Sequence, residues 1–497
     1  MARRFLLLLA ALLCGSLVAA SPLAAQQPAP QHATPAERHL PAASVTHHTL
    51  DLPGRSLHFT ATAEALRLTD EAGAPQAEVA TIAYEIEGAE TAGRPVTFVV
   101  NGGPGAASAW LQLGAAGPWR LPLAGAAGLP SAPPTLEPNA ETWLDFTDLV
   151  FIDPPGTGYS RLASASEDLR HRFYAVEGDI DGLADVVRQW LLAHDRMASP
   201  KFILGESYGG FRGPRLARAL QTKVGVGIDG LVLVSPKLDF GGASAVFDPF
   251  ADVTLLPAMA AAAREQAGPI DRAALADVEA YARGEYLADL LSGPRDTEAV
   301  ERMSRRVAAF TGLDPTLVRQ LGGRVDRDSF LRERARAAHA VSSVYDASIT
   351  GADPFPFDAD SAHPDPALDA LRAPLTEAMA QLYAGRLNWR PDGQYEVLND
   401  AVARAWDFGR RNHRPEAVTA LRTALALDAR MRVLIVHGLT DTVTPYFATQ
   451  LLLDQIPQIG APNRIRLLVL PGGHMMYVRD GSRRALHDAA QALVEQK

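Results

Sequence analysis

The chain is poor in the residues that would staple it, metallate it or charge it strongly. Cys14 is the single cysteine among 497 residues. It lies in an N-terminal stretch, "MARRFLLLLAALLCGSLVAASPLAAQQP", whose two arginines, apolar run from Phe5 to about Ala20 and small residues near Ala20 and Ala25 have the pattern of a secretory signal. Cleavage after Ala25 would leave no cysteine, which excludes disulfides even in an oxidising compartment and puts stability on core packing. The apolar run is short for a spanning helix and is followed by Pro22, Gln26 and Gln27, so no membrane association is expected after cleavage, and the expected location is secreted or periplasmic. Basic blocks are also lacking: 57 acidic residues face 47 Lys and Arg, for a formal charge of −10, which gives no footprint for nucleic acid or anionic lipid. The thirteen histidines form no HExxH, no dinucleotide fingerprint occurs, and the glycine-rich "DPPGTGYS" (153–160) lacks the lysine of a phosphate loop. No metal and no cofactor are therefore expected. The expected partner is a peptide or a small acyl substrate.

What the chain does have is enough apolar sequence, 47% of it, for a large core. Residues 26–45 are rich in Pro, Ala and Gln without periodicity and read as a flexible leader. "VATIAYEIEG" (79–88) alternates like a strand. From there short apolar runs, "PVTFVVNGGPG" (95–105), "DLVFID" (148–153), "KFILG" (201–205) and "GLVLVS" (230–235), alternate with helix-like stretches at about 179–194 and 214–221. Such a rhythm predicts an α/β fold with a mostly parallel central sheet covered by helices on both faces. The rhythm stops after Pro236. Residues 238–427 read as a mainly helical insertion or cap, with helical periodicity in stretches such as "AVARAWDFGRRNH" (401–413). "RVLIVHG" (432–438), "RIRLLVLPGGH" (464–474) and a final helix from about Ser482 resume it, so the core comprises residues 46–237 and 428–497.

"GESYG" (205–209) lies between an apolar run and a helical one, the setting of a strand-to-helix elbow that exposes a serine hydroxyl. Ser207 needs a base, and the base an orienting acid, in the chain order Ser, acid, His. Asp441 in "VHGLTDTVTP" and His474 in "VLPGGHMMY" each follow an apolar run, where open sheets of this kind carry their sites. His437 and Asp153 are rivals that fall out of order and are read as structural. "NGGPG" (101–105) can bring the Gly103 amide near a substrate oxygen, with the Tyr208 amide as second oxyanion donor.

These motifs together resemble the serine carboxypeptidase family of α/β-hydrolases: "NGGPG", "DPPGTGYS", "GESYGG" (205–210), Asp441 and "GGHM" (472–475). The resemblance implies the α/β-hydrolase fold, Ser207, Asp441 and His474 as triad, Gly103 and Tyr208 as oxyanion donors, and Asn101 and Glu206 as ligands of a substrate's terminal carboxylate. It covers the core and not the insertion. Where relatives carry a cysteine after the glycine loop this chain has Ala106; where they carry a second carboxylate-binding glutamate the nearest counterpart is Gln112; and Pro445 stands where an asparagine-containing turn is common. The implied activity is removal of C-terminal residues through an acyl-enzyme. An esterase or acyltransferase with the same triad, and a non-catalytic peptide-binding homologue, remain open alternatives.

Overall fold

The computed structural model describes residues 39–123, 130, 131, 133–241, 248–358, 363–409 and 415–496. The expected signal at 1–25 and most of the leader lie outside them. Residues 40–45, assigned to the leader by composition, are instead ordered: Leu40 is buried, the Trp389 indole N–H donates to the carbonyls of Pro41 and Ala42, and the first strand begins at Ser44.

Among the described residues the sheet has ten strands, nine of them on one path: β1 (Ser44–Leu52), β2 (Arg55–Thr69), β3 (Pro75–Ile86), β4 (Val96–Val100), β5 (Asp148–Ile152), β6 (Lys201–Glu206), β7 (Gly230–Val234), β8 (Arg432–Gly438) and β9 (Ile465–Leu470). Their order is β1-β2-β3-β5-β4-β6-β7-β8-β9, with the two-residue strand Arg161–Leu162 added beside β3. The first three strands and β5 pair antiparallel, and every pair from β5 to β9 is parallel. The apolar runs arise because the central strands are buried on both faces. Alternate residues feed two cores: Leu204, Val232, Val234, Leu434 and Val436 enter one, and Ile203, Leu231, Leu233, Val433 and Ile435 the other. Helices α1 (Val176–Ala193) and α2 (Tyr208–Ala219) cover the second core. The first core is closed by the C-terminal helix.

Helix α2 begins six residues before the sequence predicts. Gly209, Gly210 and Gly213 are weak helix formers that hide its first turn from a propensity reading, yet they are required by the close approach of the elbow to its neighbours. A Cβ on Gly205 would lie 2.1 Å from the Gly209 carbonyl oxygen, and one on Gly209 would lie 2.3 Å from that of Val100.

The stretch between β7 and β8 is mainly helical. Its longest helices are α3 (Pro249–Glu265), α4 (Thr297–Thr311) and α5 (Leu368–Gln381), and a short strand pair, Ala340–Ser342 with Thr350–Ala352, interrupts them. The helical reading of 401–413 is too long: the helix there ends at Ala405, and residues 410–414 lie outside the described part. The insertion's burial is divided. Residues of α3 and α4 form a third core that extends onto α6 (Tyr446–Asp454), whereas Leu371, Leu375, Trp389 and Tyr395 join the first core beside α7 (Asp480–Glu495). The insertion is thus packed against both helices of the second core segment, α6 and α7.

Candidate active site

Four parallel strands deliver the candidate residues to the carboxyl end of the sheet. Asn101 follows β4, Glu206 ends β6 with Ser207 directly after it, Asp441 follows β8, and His474 follows β9. Ser207 has φ 58° and ψ −117°, a conformation that non-glycine residues hold only when the surroundings enforce it, at about 1–3 kcal/mol. Here β7 and α2 enforce it: the Ser207 N–H donates to Val234 O at 2.8 Å, and Gly210 N–H donates to Ser207 O at 3.0 Å. The residue is part-exposed, and its hydroxyl makes no hydrogen bond among the described residues.

His474 is almost fully buried, and its Nδ1 lies 2.7 Å from Asp441 Oδ2. A carboxylate can only accept, so Nδ1 carries the proton and Nε2 is left as the basic nitrogen. Asp441 is saturated. Its Oδ1 accepts from the Val443 and Thr444 amides at 2.8 and 3.0 Å, and its Oδ2 also accepts from the Thr444 hydroxyl at 2.7 Å. Burial pushes the Asp441 pKa up, but His474 and the Thr444 donors outweigh it and hold the carboxyl below its ordinary value. For His474 the balance is the reverse in sign: burial lowers its pKa, while Asp441 and then Glu206 raise it, for a net rise above 6.5. Ser207 and His474 are tied to consecutive residues at the β7 end, Ser207 to Val234 through its N–H and His474 to Ser235, whose hydroxyl donates to His474 O at 2.7 Å.

The glycine loop reaches the elbow. A Cβ on Gly102 would lie 2.6 Å from Tyr208 N and 3.0 Å from Ser207 Cβ. Tyr208 opens α2, where amides have no intrahelical acceptor, and neither its N–H nor that of Gly103 donates to any acceptor among the described residues. Two unspent amides beside a serine can hold a developing oxyanion.

Glu206 is 3% exposed and accepts from Asn101 Nδ2 at 2.5 Å and from the Tyr477 hydroxyl at 2.8 and 2.9 Å. Burial lifts its pKa to about 7 against the opposing pull of His474, Tyr477 and Asn101. Gln112 takes no part in this cluster. Its amide donates to the Tyr84 hydroxyl at 2.8 Å, and the third member is Tyr477, three residues beyond His474. The rivals are accounted for: His437 is fully buried, bonded to Thr449, with its pKa pushed down to about 4 by burial, and Asp153 is a buried acceptor for the Ser108 amide. Among the described residues no cluster of His, Cys, Asp and Glu is arranged to hold a metal ion.

Arg212, one turn into α2, is a contributor that sequence reading missed. It is buried, pairs with Asp179 of α1 at 2.7 and 3.1 Å, and donates to the Asn101 carbonyl at 2.6 Å, so one guanidinium joins the helix behind the elbow to the glycine loop. Asp179→Ala should destabilise the fold by about 3–5 kcal/mol, because it strands a buried cation. Urea unfolding should show it, and Asp179→Leu combined with Arg212→Met should recover much of the loss. A loss below 1 kcal/mol in the single variant would contradict this.

The sheet order, the elbow after β6 and the two loops after β8 and β9 define an α/β-hydrolase fold. A model of the serine carboxypeptidase family matches residues 84–251, a span that holds the glycine loop and the elbow but neither Asp441 nor His474. Among solved structures, a prohormone-processing carboxypeptidase from Saccharomyces cerevisiae is similar at 15% identity, covering 88% of this chain and 91% of its own, with a TM-score of 0.54. A thermophilic esterase from Thermogutta terrifontis is 14% identical over 87% of this chain and 98% of its own, with a TM-score of 0.35. A proline iminopeptidase from Mycobacterium smegmatis is 14% identical over 90% and 99%, with a TM-score of 0.32. No curated protein sequence matches the chain.

Proposed function

We propose that the protein is a secreted serine carboxypeptidase-type hydrolase that removes C-terminal residues from peptides. Ser207 attacks the scissile carbonyl as His474 Nε2 takes its proton, Asp441 holds the imidazole, and the Gly103 and Tyr208 amides receive the oxyanion. The protonated His474 then gives its proton to the leaving amine, and water, activated by the same imidazole, releases the acyl group. The observation that carries the reading is Glu206. A buried carboxyl beside the nucleophile, with a pKa of about 7 and held by Asn101 and Tyr477, can share a proton with a substrate's own terminal carboxylate. The family model supports the same reading. The N-terminal signal pattern supports secretion, testable by the N-terminus of the exported protein.

The test is one peptide presented as free acid and as C-terminal amide, with products identified by mass. Cleavage of the free acid alone supports a carboxypeptidase. Equal turnover of both forms, or faster turnover of simple esters, favours the esterase or acyltransferase reading.

The pH dependence carries a sharper expectation. Proton sharing needs Glu206 protonated, so kcat/KM for the free acid should fall as pH rises through about 7. At lower pH activity is limited by protonation of His474, whose pKa stands above 6.5. Free-acid turnover should therefore fall on both sides, at high pH through Glu206 and at low pH through His474. Glu206→Gln donates a hydrogen bond without a titrating proton and should move the falling limb upward for the free acid alone, while the acid limb moves to lower pH for acid and amide alike, because Glu206 helps raise the His474 pKa. Superimposable acid and amide profiles in both proteins would remove Glu206 from carboxylate recognition.

A further inference from the structure

A strap from the insertion, residues 343–348, is threaded between the loops that carry Asp441 and His474. His474 N–H donates to Tyr345 O at 2.6 Å, and the Tyr345 ring packs edge-on against the imidazole at 5.4 Å between centroids. On the other side, Ala347 N–H donates to Thr440 O at 3.0 Å, and the Thr442 hydroxyl donates to Val344 O at 2.6 Å. The approach leaves no room for a side chain at Gly473, where a Cβ would lie 2.1 Å from Tyr345 O and 2.4 Å from Asp346 Cβ.

Asp346 is the centre of this contact. It is 5% exposed. Its Oδ1 accepts from the hydroxyl of Thr440, the residue before Asp441, at 2.6 Å. Its Oδ2 accepts from Arg479, five residues beyond His474, at 3.1 Å. Arg479 in turn bonds Ser348 at 2.8 Å and Glu265 at the end of α3. One buried carboxylate thus ties together the loops that carry Asp441 and His474, and Arg479 extends the link to the end of α3. The strap is itself braced from below by Asp365, which accepts from the Ser343 hydroxyl and the Val344 amide at 2.8 Å each.

We propose that Asp346 is a positioning residue for catalysis, which holds the Thr440 and Arg479 sides of the two loops together and so sets the Asp441–His474 contact. This rests on the reading of Ser207, Asp441 and His474 as a triad. It assigns the insertion a part in the chemistry and not only in covering the site.

The titratable groups that act on the imidazole are Asp441 from the β8 loop, Glu206 from β6, His437 within β8 and Tyr345 from the strap. Of these, Asp441 makes the largest contribution that raises the His474 pKa, so loosening that contact should lower it.

Three variants separate position from charge and from folding. Asp346→Ala removes both links, Asp346→Asn removes the charge but keeps an acceptor for Thr440, and Thr440→Val removes only the hydroxyl and leaves the charge. The His474 titration is read by NMR of ring-labelled histidine, assigned by its loss in His474→Gln, and this readout works even if the protein cleaves nothing. We expect Asp346→Ala and Thr440→Val to lower the His474 pKa by about half a unit or more, with a smaller shift in Asp346→Asn, which keeps the Thr440 link but turns an amide NH₂ toward Arg479. Where wild type turns over an acyl ester, kcat should fall by about 100-fold in Asp346→Ala with KM within threefold, since a misplacement near 1 Å has that effect. Equal shifts in the Ala and Asn variants with none in Thr440→Val would reduce Asp346 to a background charge. An unchanged titration in all three, or activity lost only in proportion to unfolded protein, would overturn the proposal. Failure of wild type to hydrolyse esters or peptides while the titration behaves as expected would instead reject the hydrolase reading and leave the strap's role in place.

Discussion

Ser207→Ala should abolish covalent labelling by a fluorophosphonate and lower kcat on the order of 10⁶-fold, as expected when the nucleophile of a triad is removed. The chain has a built-in comparison. Ser207 and Ser235 are both serines held at positive φ, at 58° and 44°. The Ser235 hydroxyl is committed to the His474 carbonyl and the residue is fully buried, whereas the Ser207 hydroxyl is uncommitted and part-exposed at the start of α2. Strain therefore does not single out the nucleophile; strain together with a free hydroxyl does. Mass spectrometry of the labelled wild-type protein should place the adduct on the peptide holding Ser207. Ser235→Ala should still be labelled, more slowly if the His474 loop shifts. The elbow should stay folded in Ser207→Ala, because the bonds that enforce it use backbone atoms of residue 207. Ser207→Gly, which has no Cβ to crowd at this φ, should be no less stable than the alanine variant. Labelling that persists in Ser207→Ala would reject the assignment.

The parts of this architecture that are legible in sequence are those that short-range pattern controls. Strands β4 to β8 are buried on both faces and so read as continuous apolar runs, edge strand β9 is apolar but part-exposed, and the loops after them carry the candidate residues because that is where a parallel sheet presents its ends. The leading hairpin is not legible in the same way. β1, "SVTHHTLDL", is exposed at alternate positions and mixes Thr and His with few apolar residues. Its one clear signal is the turn Pro53-Gly54, with Gly54 at φ 77°, between two strand-like stretches. Helix α2 hides behind glycines that serve packing over propensity.

At the site, Gln112 sits in sequence where a carboxylate partner is expected, but the position is decided by which side chain reaches Glu206 in space. Tyr477 does so from 271 residues away. Thr440 and Asp346 meet across 94 residues. Such pairings leave no periodic trace, and in the insertion, whose helices bury against one another and against two different cores, nothing local marks residues 343–348 as the part that touches the loops carrying Asp441 and His474.

Asp441→Asn should lower kcat by roughly 10⁴-fold with little change in fold, since tautomer and orientation are lost while volume is kept. In the wild type Oδ1 serves the Val443 and Thr444 amides, and Oδ2 receives the His474 Nδ1 proton together with the Thr444 hydroxyl. An asparagine that keeps its oxygen on the two amides must point its NH₂ at the imidazole. A donor there forces Nδ1 to accept, which moves the ring proton to Nε2 and leaves no base facing Ser207. If the amide flips instead, the two backbone N–H groups lose their acceptor in a fully buried site, at about 1–3 kcal/mol. Either outcome weakens catalysis, and unfolding measurements distinguish them. The pH profile gives an independent sign. Asp441 is the largest of the contributions that raise the His474 pKa, so the acid limb of residual activity should move to lower pH in the variant. The measurement is kcat/KM against pH with an ester or amide-capped substrate, which has no terminal carboxylate and so removes proton sharing with Glu206 from the profile. Activity within tenfold of wild type, with Ser207→Ala inactive, would mean that another group orients the base. A large loss with an unmoved acid limb would mean that the limb belongs to a residue other than His474.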